Sequence, residues 1–269
     1  MKIGFLITAR LKSSRLPYKL LLDLKGKTMV ERVIERTMQV VSKENVVLCT
    51  SVNPQDTPLE EIAIKNNINC FRGSEPDVLD RLCKAADLHG FDYILNITGE
   101  NPLFSIEMAK KAKKHLKETK ADFLHITGLP IGCAVYGLRV DALKVVCKIK
   151  QEVDTEIWGY LINRPEIFHI ESIETPDELK LENVRITSDF PEDFELISQL
   201  FYMLEEDIPK YKSVKELLHS KPELLAINAS RKQADADFAM INRINRFFLA
   251  NQQRILNAKE ELYSQNIHI

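Results

Sequence analysis

Short apolar runs alternate along the first two hundred residues with longer stretches in which hydrophobic positions return every three or four places. Residues 3–8 read Ile-Gly-Phe-Leu-Ile-Thr, with almost no polar face. Such a segment suits a central parallel strand buried on both sides. The pattern then predicts a helix near Met29–Val41, a strand at Asn45–Thr50, a short helix at Leu59–Asn66 and a short strand at Asn69–Phe71. A helix follows over Asp77–His89, where Val78, Leu82, Ala85 and Ala86 make one apolar stripe, and then a strand at Tyr93–Ile97. Ile106–Glu118 returns as a helix with a lysine-rich face, and Ala134–Leu138, Ile167–Ile173 and Val184–Thr187 supply later strands. Right-handed crossovers would lay these down as an α/β fold with a mostly parallel sheet flanked by helices.

The pattern changes towards the C-terminus. All glycines fall between Gly4 and Gly159 and no proline follows Pro222, so this part lacks helix breakers. We therefore divide the chain at residues 1–208 and 209–269, the second being a helical extension. Within it Ile241, Phe248, Ile255 and Leu262 recur every seven residues, flanked by Leu249, Leu256 and Tyr263. That seam seeks a partner surface, either the same subunit or a second copy in a homodimer.

Composition narrows the function classes. The chain has 269 residues, 45% of them hydrophobic and 28% charged, enough for a substantial core. A net charge of −2 gives little nonspecific attraction to nucleic acid. No run approaches the roughly 18–20 apolar residues that cross a bilayer, and no signal peptide is recognisable, so a cytoplasmic protein is expected. Cys49, Cys70, Cys83, Cys133 and Cys147 are scattered without a Cys-x-x-Cys pair and read as reduced packing residues.

Chemistry concentrates after the first strand. Residues 7–19, Ile-Thr-Ala-Arg-Leu-Lys-Ser-Ser-Arg-Leu-Pro-Tyr-Lys, place Arg10, Lys12, Arg15 and Lys19 in one loop, and no carboxylate occurs before Asp23. Without local partners these cations are expected to await an external anion, and the carboxyl end of a parallel strand is a favoured ligand position. Neither Gly-x-x-x-x-Gly-Lys-Ser/Thr nor Gly-x-Gly-x-x-Gly is present. Guanidinium forks and an ammonium, more than backbone amides, would therefore hold a polyphosphate.

Ala9-Arg10 through Lys19, followed by Gly26-Lys27-Thr28-Met29-Val30-Glu31-Arg32, resembles the sugar cytidylyltransferases, most closely the spore-coat polysaccharide type. The enzymes that make CMP-sialic acid and CMP-3-deoxy-manno-octulosonate are more distant. The match continues through Asn53-Pro54-Gln55-Asp56, Phe71-Arg72-Gly73-Ser74-Glu75-Pro76-Asp77, Ile97-Thr98-Gly99-Glu100-Asn101-Pro102 and Asp189-Phe190-Pro191-Glu192-Asp193. It covers roughly residues 1–205. It implies a Rossmann-like fold of the nucleotide-diphospho-sugar transferase type, and a reaction that uses CTP and Mg2+ to make a CMP- or CDP-linked sugar with release of pyrophosphate. Arg10 and Lys19 become the leading catalytic residues. Ala9, Arg10, Ser14, Arg15, Lys19, Arg72 and Ser74 become the nucleotide-binding set.

Nucleotidyl transfer needs metal and cations to offset the charge around the attacked phosphorus, and magnesium prefers carboxylate, water and phosphate oxygens. Glu100 and Asp189 each follow an expected strand and are the metal candidates, although the relatives usually carry Asp where this chain has Glu100. The relatives also have acidic residues in the region reading Gly132-Cys133-Ala134-Val135, and a Glu-His pair where this chain keeps only Glu156. The acceptor pocket is therefore altered, with Glu156, Trp158 and Tyr160 as its candidates and an acidic keto-sugar as the leading acceptor. Two alternatives stand beside this reading. One is a glycosyltransferase, whose Asp-x-Asp metal pair occurs only at Asp235-Ala236-Asp237; the other is a catalytically silent nucleotide-binding assembly subunit.

Overall fold

The computed structural model describes residues 1–181, 183–233 and 237–264. Strand β1 (Ile3–Thr8) is buried along all but its last residue. It pairs in parallel with β2 (Val46–Ser51) on one side and β4 (Tyr93–Thr98) on the other, and β2 pairs in parallel with β3 (Asn69–Gly73). With β5 (Phe123–Thr127), β6 (Tyr136–Arg139) and β7 (Ile170–Glu174) the seven-stranded order is β3-β2-β1-β4-β6-β5-β7. β6 runs antiparallel to β4 and β5, whereas β5 and β7 are parallel.

Helices α1 (Met29–Thr37), α2 (Thr57–Lys65), α4 (Ile106–Thr119), α7 (Pro191–Met203) and α8 (Tyr211–Ser220) cover one face. Helices α3 (Val78–Leu88), α5 (Val140–Ile149), α6 (Gly159–Ile162), α9 (Phe238–Ala250) and α10 (Gln252–Ser264) cover the other. The two-residue period of β1 divides its side chains accordingly: Phe5 and Ile7 join the first core and Leu6 the second.

Most expected elements form, with physical departures. α1 starts at a capping box in which Thr28 and Glu31 satisfy each other's backbone N–H groups, but it ends at Thr37 rather than Val41. The amides of Val40 and Val41 both turn back to the Thr37 carbonyl, which drops these valines into the core. Residues 184–187 form no strand. They meet the sheet side only at the Ile131–Arg185 bridge, because Gly132, at φ +92°, turns the opposite segment away. β5 was not anticipated, and the strands near Ala134 and Ile167 begin two to three residues later than expected.

The extension contributes to both cores. Tyr211, Val214, Leu218 and Leu224 join the first, and Ile244, Phe248, Ile255 and Ala258 join the second, where α10 packs on α5. The heptad seam therefore docks on its own chain. The helical run breaks at Asn251, so Phe248 and Ile255 sit on separate helices that fold over one surface. Tyr263 and Lys259 anchor the end, donating to the two Asp122 carboxylate oxygens at 2.7 and 3.0 Å. All five cysteines are free.

Candidate active site

Three loops meet at the carboxyl edge of β1 and β4. The Ala9 amide donates to the Cys49 carbonyl at 3.1 Å and the Gly99 amide to the Thr8 carbonyl at 2.8 Å. The Ser188 amide donates to the Glu100 carbonyl at 3.1 Å, tying the segment before α7 to the loop after β4. Asp56, quoted above only as part of a motif, holds the basic loop: it is buried and accepts from the Leu11 amide at 2.7 Å. Gly132 is required where this region closes, since a Cβ there would lie 2.3 Å from the Ile186 carbonyl oxygen. Tyr18, in the left-handed region at φ +53°, turns the chain into a single 3-10 turn at Lys19–Leu21.

The basic loop is not without carboxylates, which corrects the expectation drawn from its local sequence. Arg10 Nη2 lies 2.9 Å from Glu156 Oε1, and Lys12 Nζ lies 3.0 Å from Glu75 Oε1. Arg15 Nη2 and Lys19 Nζ both reach Asp189 Oδ1, at 3.3 and 2.9 Å. Partners 63 to 174 residues away take the role that neighbours do not. Ser14 stays exposed on the same loop.

Lys19 is nearly buried, and its ammonium lies between Asp189 and Glu100, 4.0 Å from Glu100 Oε2. Arg185, which the sequence reading passed over, donates to Asp189 Oδ2 at 2.6 Å and to both Asp193 oxygens at 3.1 Å. A cation in the apolar run Val184–Thr187 was the available signal, since buried charge demands a partner. Burial pushes the Asp189 carboxyl up, but Lys19, Arg15 and Arg185 outweigh it and hold the group below its ordinary value. Asp189 is not the cap of α7: Asp193 accepts from the Asp189 and Phe190 amides at 3.0 and 3.1 Å and occupies that role. The Phe190 ring lies 4.8, 5.7 and 5.0 Å from the guanidinium carbons of Arg15, Arg185 and Arg231, within range of a cation–π attraction.

Glu100 and Asp189 are the carboxylates gathered here. Among the described residues no group of three or more His, Cys, Asp or Glu is arranged to hold a metal. Two carboxylates beside a loop of four cations have the chemistry to hold a magnesium ion, whose remaining positions other oxygen ligands such as water would fill.

Beside them opens a cavity of about 990 Å³, at the upper end of ordinary ligand sites. Glu100, Asp189, Glu156, Trp158 and Tyr160 all line it, so the candidate metal and acceptor residues converge on one space. Trp158 is buried, edge-on to Tyr136 at 5.2 Å and to Phe123 at 6.2 Å, and still presents a surface to the cavity. Tyr136, His125 and Asn101 are lining residues that the sequence reading did not single out. Arg72 and Ser74 are not brought to this cavity. The Arg72 guanidinium donates to the Ser51 and Asn53 carbonyls and to Glu60, at 3.0, 2.8 and 2.8 Å, and so secures the turn after β2. Ser74 Oγ accepts from the Asp77 amide ahead of α3.

Residues 5–228 match a family model described as cytidylyltransferase. The chain belongs to the cytidylyltransferase family. It is 32% identical over 238 residues to an uncharacterised protein of Methanocaldococcus jannaschii, covering 87% of this chain and 97% of that protein. It is 27% identical over 242 residues to the spore coat polysaccharide biosynthesis protein SpsF of Bacillus subtilis, covering 87% and 99%. A cytidylyltransferase structure from Leptospira borgpetersenii superposes with a TM-score of 0.78 at 26% identity, covering 88% of this chain and all of that one. The resemblance read from the basic loop is thus borne out, and the cytidylyltransferase takes precedence over the glycosyltransferase alternative. Of the Asp-x-Asp triplet, Asp235 and Ala236 lie outside the described residues, and Asp237 caps α9 by accepting from the Ala239 amide at 2.8 Å.

Proposed function

We propose that this cytidylyltransferase uses CTP and Mg2+ to activate a sugar acid or related sugar-like acceptor as a CMP- or CDP-linked product, with release of pyrophosphate. The observation that carries this reading is the Lys19 ammonium between Asp189 and Glu100, with Arg15 on the same Asp189 oxygen, beside a sugar-sized cavity that these two carboxylates line. Each of the Arg10 and Lys12 pairs has one exposed member, Glu156 and Lys12, and pairs open to solvent contribute only about 0–1 kcal/mol each. A triphosphate, with several charges and bidentate geometry, is able to displace Glu156 and Glu75 from them. Arg10, Arg15 and Lys19 then hold phosphate oxygens, and Glu156 is left facing the acceptor. Glu100 and Asp189 would hold the magnesium ion, which when bound would offset charge on the departing pyrophosphate. In this reading Ala9 acts through its backbone, Ser14 from the exposed loop, and Arg72 and Ser74 by shaping the turns beside the nucleotide.

The name of the Bacillus subtilis relative supports a surface polysaccharide or glycoconjugate as the product's destination. A homodimer belongs to the same proposal, supported by Phe238 and Leu249, which remain exposed on α9 after the docking face is used. We place the enzyme in the cytoplasm, where CTP and magnesium are available; no helix among the described residues is long and apolar enough to cross a membrane.

Magnesium-dependent pyrophosphate release, measured with each of four nucleoside triphosphates against a panel of sugar acids and phosphorylated sugars, tests this function. Release confined to CTP plus an acceptor is the expected result. CTP binding without turnover across the panel would favour the silent-subunit reading, and Glu100→Asp would then be assayed for recovery.

A further inference from the structure

Among the described residues that line the cavity beside Glu100 and Asp189, Arg164 is the one arginine or lysine. It lies just beyond α6, and two contacts hold it in place. Its Nε donates to the Tyr160 carbonyl at 2.7 Å, and its guanidinium carbon lies 4.6 Å from the ring centre of Phe248, which is buried in the second core. α9 carries Phe248 and also lines the cavity through Ile241 and Asn245, so a helix beyond residue 228, where the family match ends, positions this arginine.

What Arg164 lacks is a partner for its charge. Its Nη2 is buried and makes no hydrogen bond. Its Nη1 lies 3.8 Å from Glu166 Oε1, beyond hydrogen-bond distance, and Glu166 is exposed. Burial opposes the charge and holds the guanidinium below its ordinary value, with only Glu166 acting against it. The cavity's own carboxylates face the basic loop instead: Glu156 pairs with Arg10 at 2.9 Å, and Asp189 and Glu100 lie 2.9 and 4.0 Å from Lys19. A partly desolvated cation with unmatched donors remains costly until an anion reaches it. Two further lining residues each carry a buried atom without a partner, Asn101 Oδ1 and His125 Nδ1. The cavity thus gathers polar groups that packing leaves unsatisfied, which a polar occupant would satisfy.

The Nη1–Nη2 edge of a guanidinium presents two parallel donors, which match the two oxygens of a carboxylate. One guanidinium also balances one negative charge. The second charge of a phosphate would find no other arginine or lysine among these described lining residues.

We propose that Arg164 determines acceptor specificity, its guanidinium receiving the carboxylate of a sugar acid, and that a sugar phosphate is the poorer occupant. This rests on the cytidylyltransferase reading above and narrows its acceptor to the acid.

Trp158, the chain's one tryptophan, lines the same cavity, so its fluorescence reports occupancy without turnover. The full-length protein is saturated with CTP in chelator, then titrated with 3-deoxy-manno-octulosonate and N-acetylneuraminate, each as the free acid and as its carboxamide, and with glucose 1-phosphate. An acid is expected to change the emission, with its carboxamide and the phosphate weaker by about tenfold or more. Arg164→Gln should bring acid and carboxamide to within about twofold of each other, and Arg164→Lys should keep part of the preference. Both variants should bind CTP within about twofold of the native protein, which also shows that they fold. An arginine with a purely structural role would weaken acid and carboxamide alike and leave their ratio unchanged. An acid no tighter than its carboxamide or than the phosphate, a ratio unchanged in Arg164→Gln, loss of CTP binding in both variants, or no response to any of these sugars while CTP binds would overturn the proposal. Failure of the native protein to bind CTP would remove the underlying reading as well.

Discussion

Lys19 and Asp189 were chosen from different parts of the sequence, and the structure sets them 2.9 Å apart. Lys19→Ala should lower kcat/KM for CTP by about 10²-fold, the usual cost of losing one preorganised donor to developing charge, as steady-state kinetics will measure. Asp189→Asn should reduce magnesium-dependent turnover by about 10³-fold, and activity retained at the native level would return Asp189 to a purely structural role. The same carboxyl makes a pH prediction. Because its folded-state value lies below the unfolded 3.8, its contribution to stability is present above 3.8 and is lost as pH falls through the lower folded value. Thermal melts of Asp189→Asn should therefore differ from the native protein by a constant amount between pH 5 and 7 and draw together progressively as pH falls from 3.8 through the lower folded value. What a residue-by-residue reading could not supply was the partner list. The absence of acids before Asp23 was real, yet Glu75, Glu156 and Asp189 reach the loop through the fold, since Coulombic pairing depends on distance in space.

Elements were legible where their own side chains decide them. α1 is the clearest case, with an apolar stripe behind a Thr28–Glu31 capping box that is visible as letters. Thr28→Ala should cost about 1 kcal/mol at pH 7 by chemical denaturation. Burial opposes ionisation of Glu31, but Lys65 and the Thr28 groups prevail and bring its carboxyl down to about 2. Its stabilisation is thus present above the ordinary 4.5 and fades as pH falls from there towards 2, so the cost of Thr28→Ala should shrink over that window. β5 and the supposed strand at 184–187 show the opposite case. Phe123–Thr127 is broken by the polar His125, and its identity as a strand comes from pairing with β6 and β7. Val184–Thr187 has the composition of a strand but finds only one bridge, because Gly132 removes the partner edge.

At the scale of the whole molecule, the extension is both a lid on the second core and a wall of the cavity. Removing residues 231–269 would uncover the surface that Ile244, Phe248, Ile255 and Ala258 bury, a loss of roughly 5 kcal/mol or more at about 1.5–3 kcal/mol for each large side chain. The truncated protein should melt well below the native one and bind a hydrophobic dye, and an unchanged melting temperature would contradict the docking of α9 and α10. The sequence by itself determined the alternation of strands and helices, the basic loop after the first strand, the two acidic positions and the family, because each is written in neighbouring residues or short periods. Only the tertiary structure decided that the loop's cations are already paired, that Arg72 secures a turn, that Arg185 and Asp193 position Asp189, and that the seam closes on its own chain. Those outcomes depend on which distant surfaces the sheet order brings within a few ångströms, and local pattern carries no record of that.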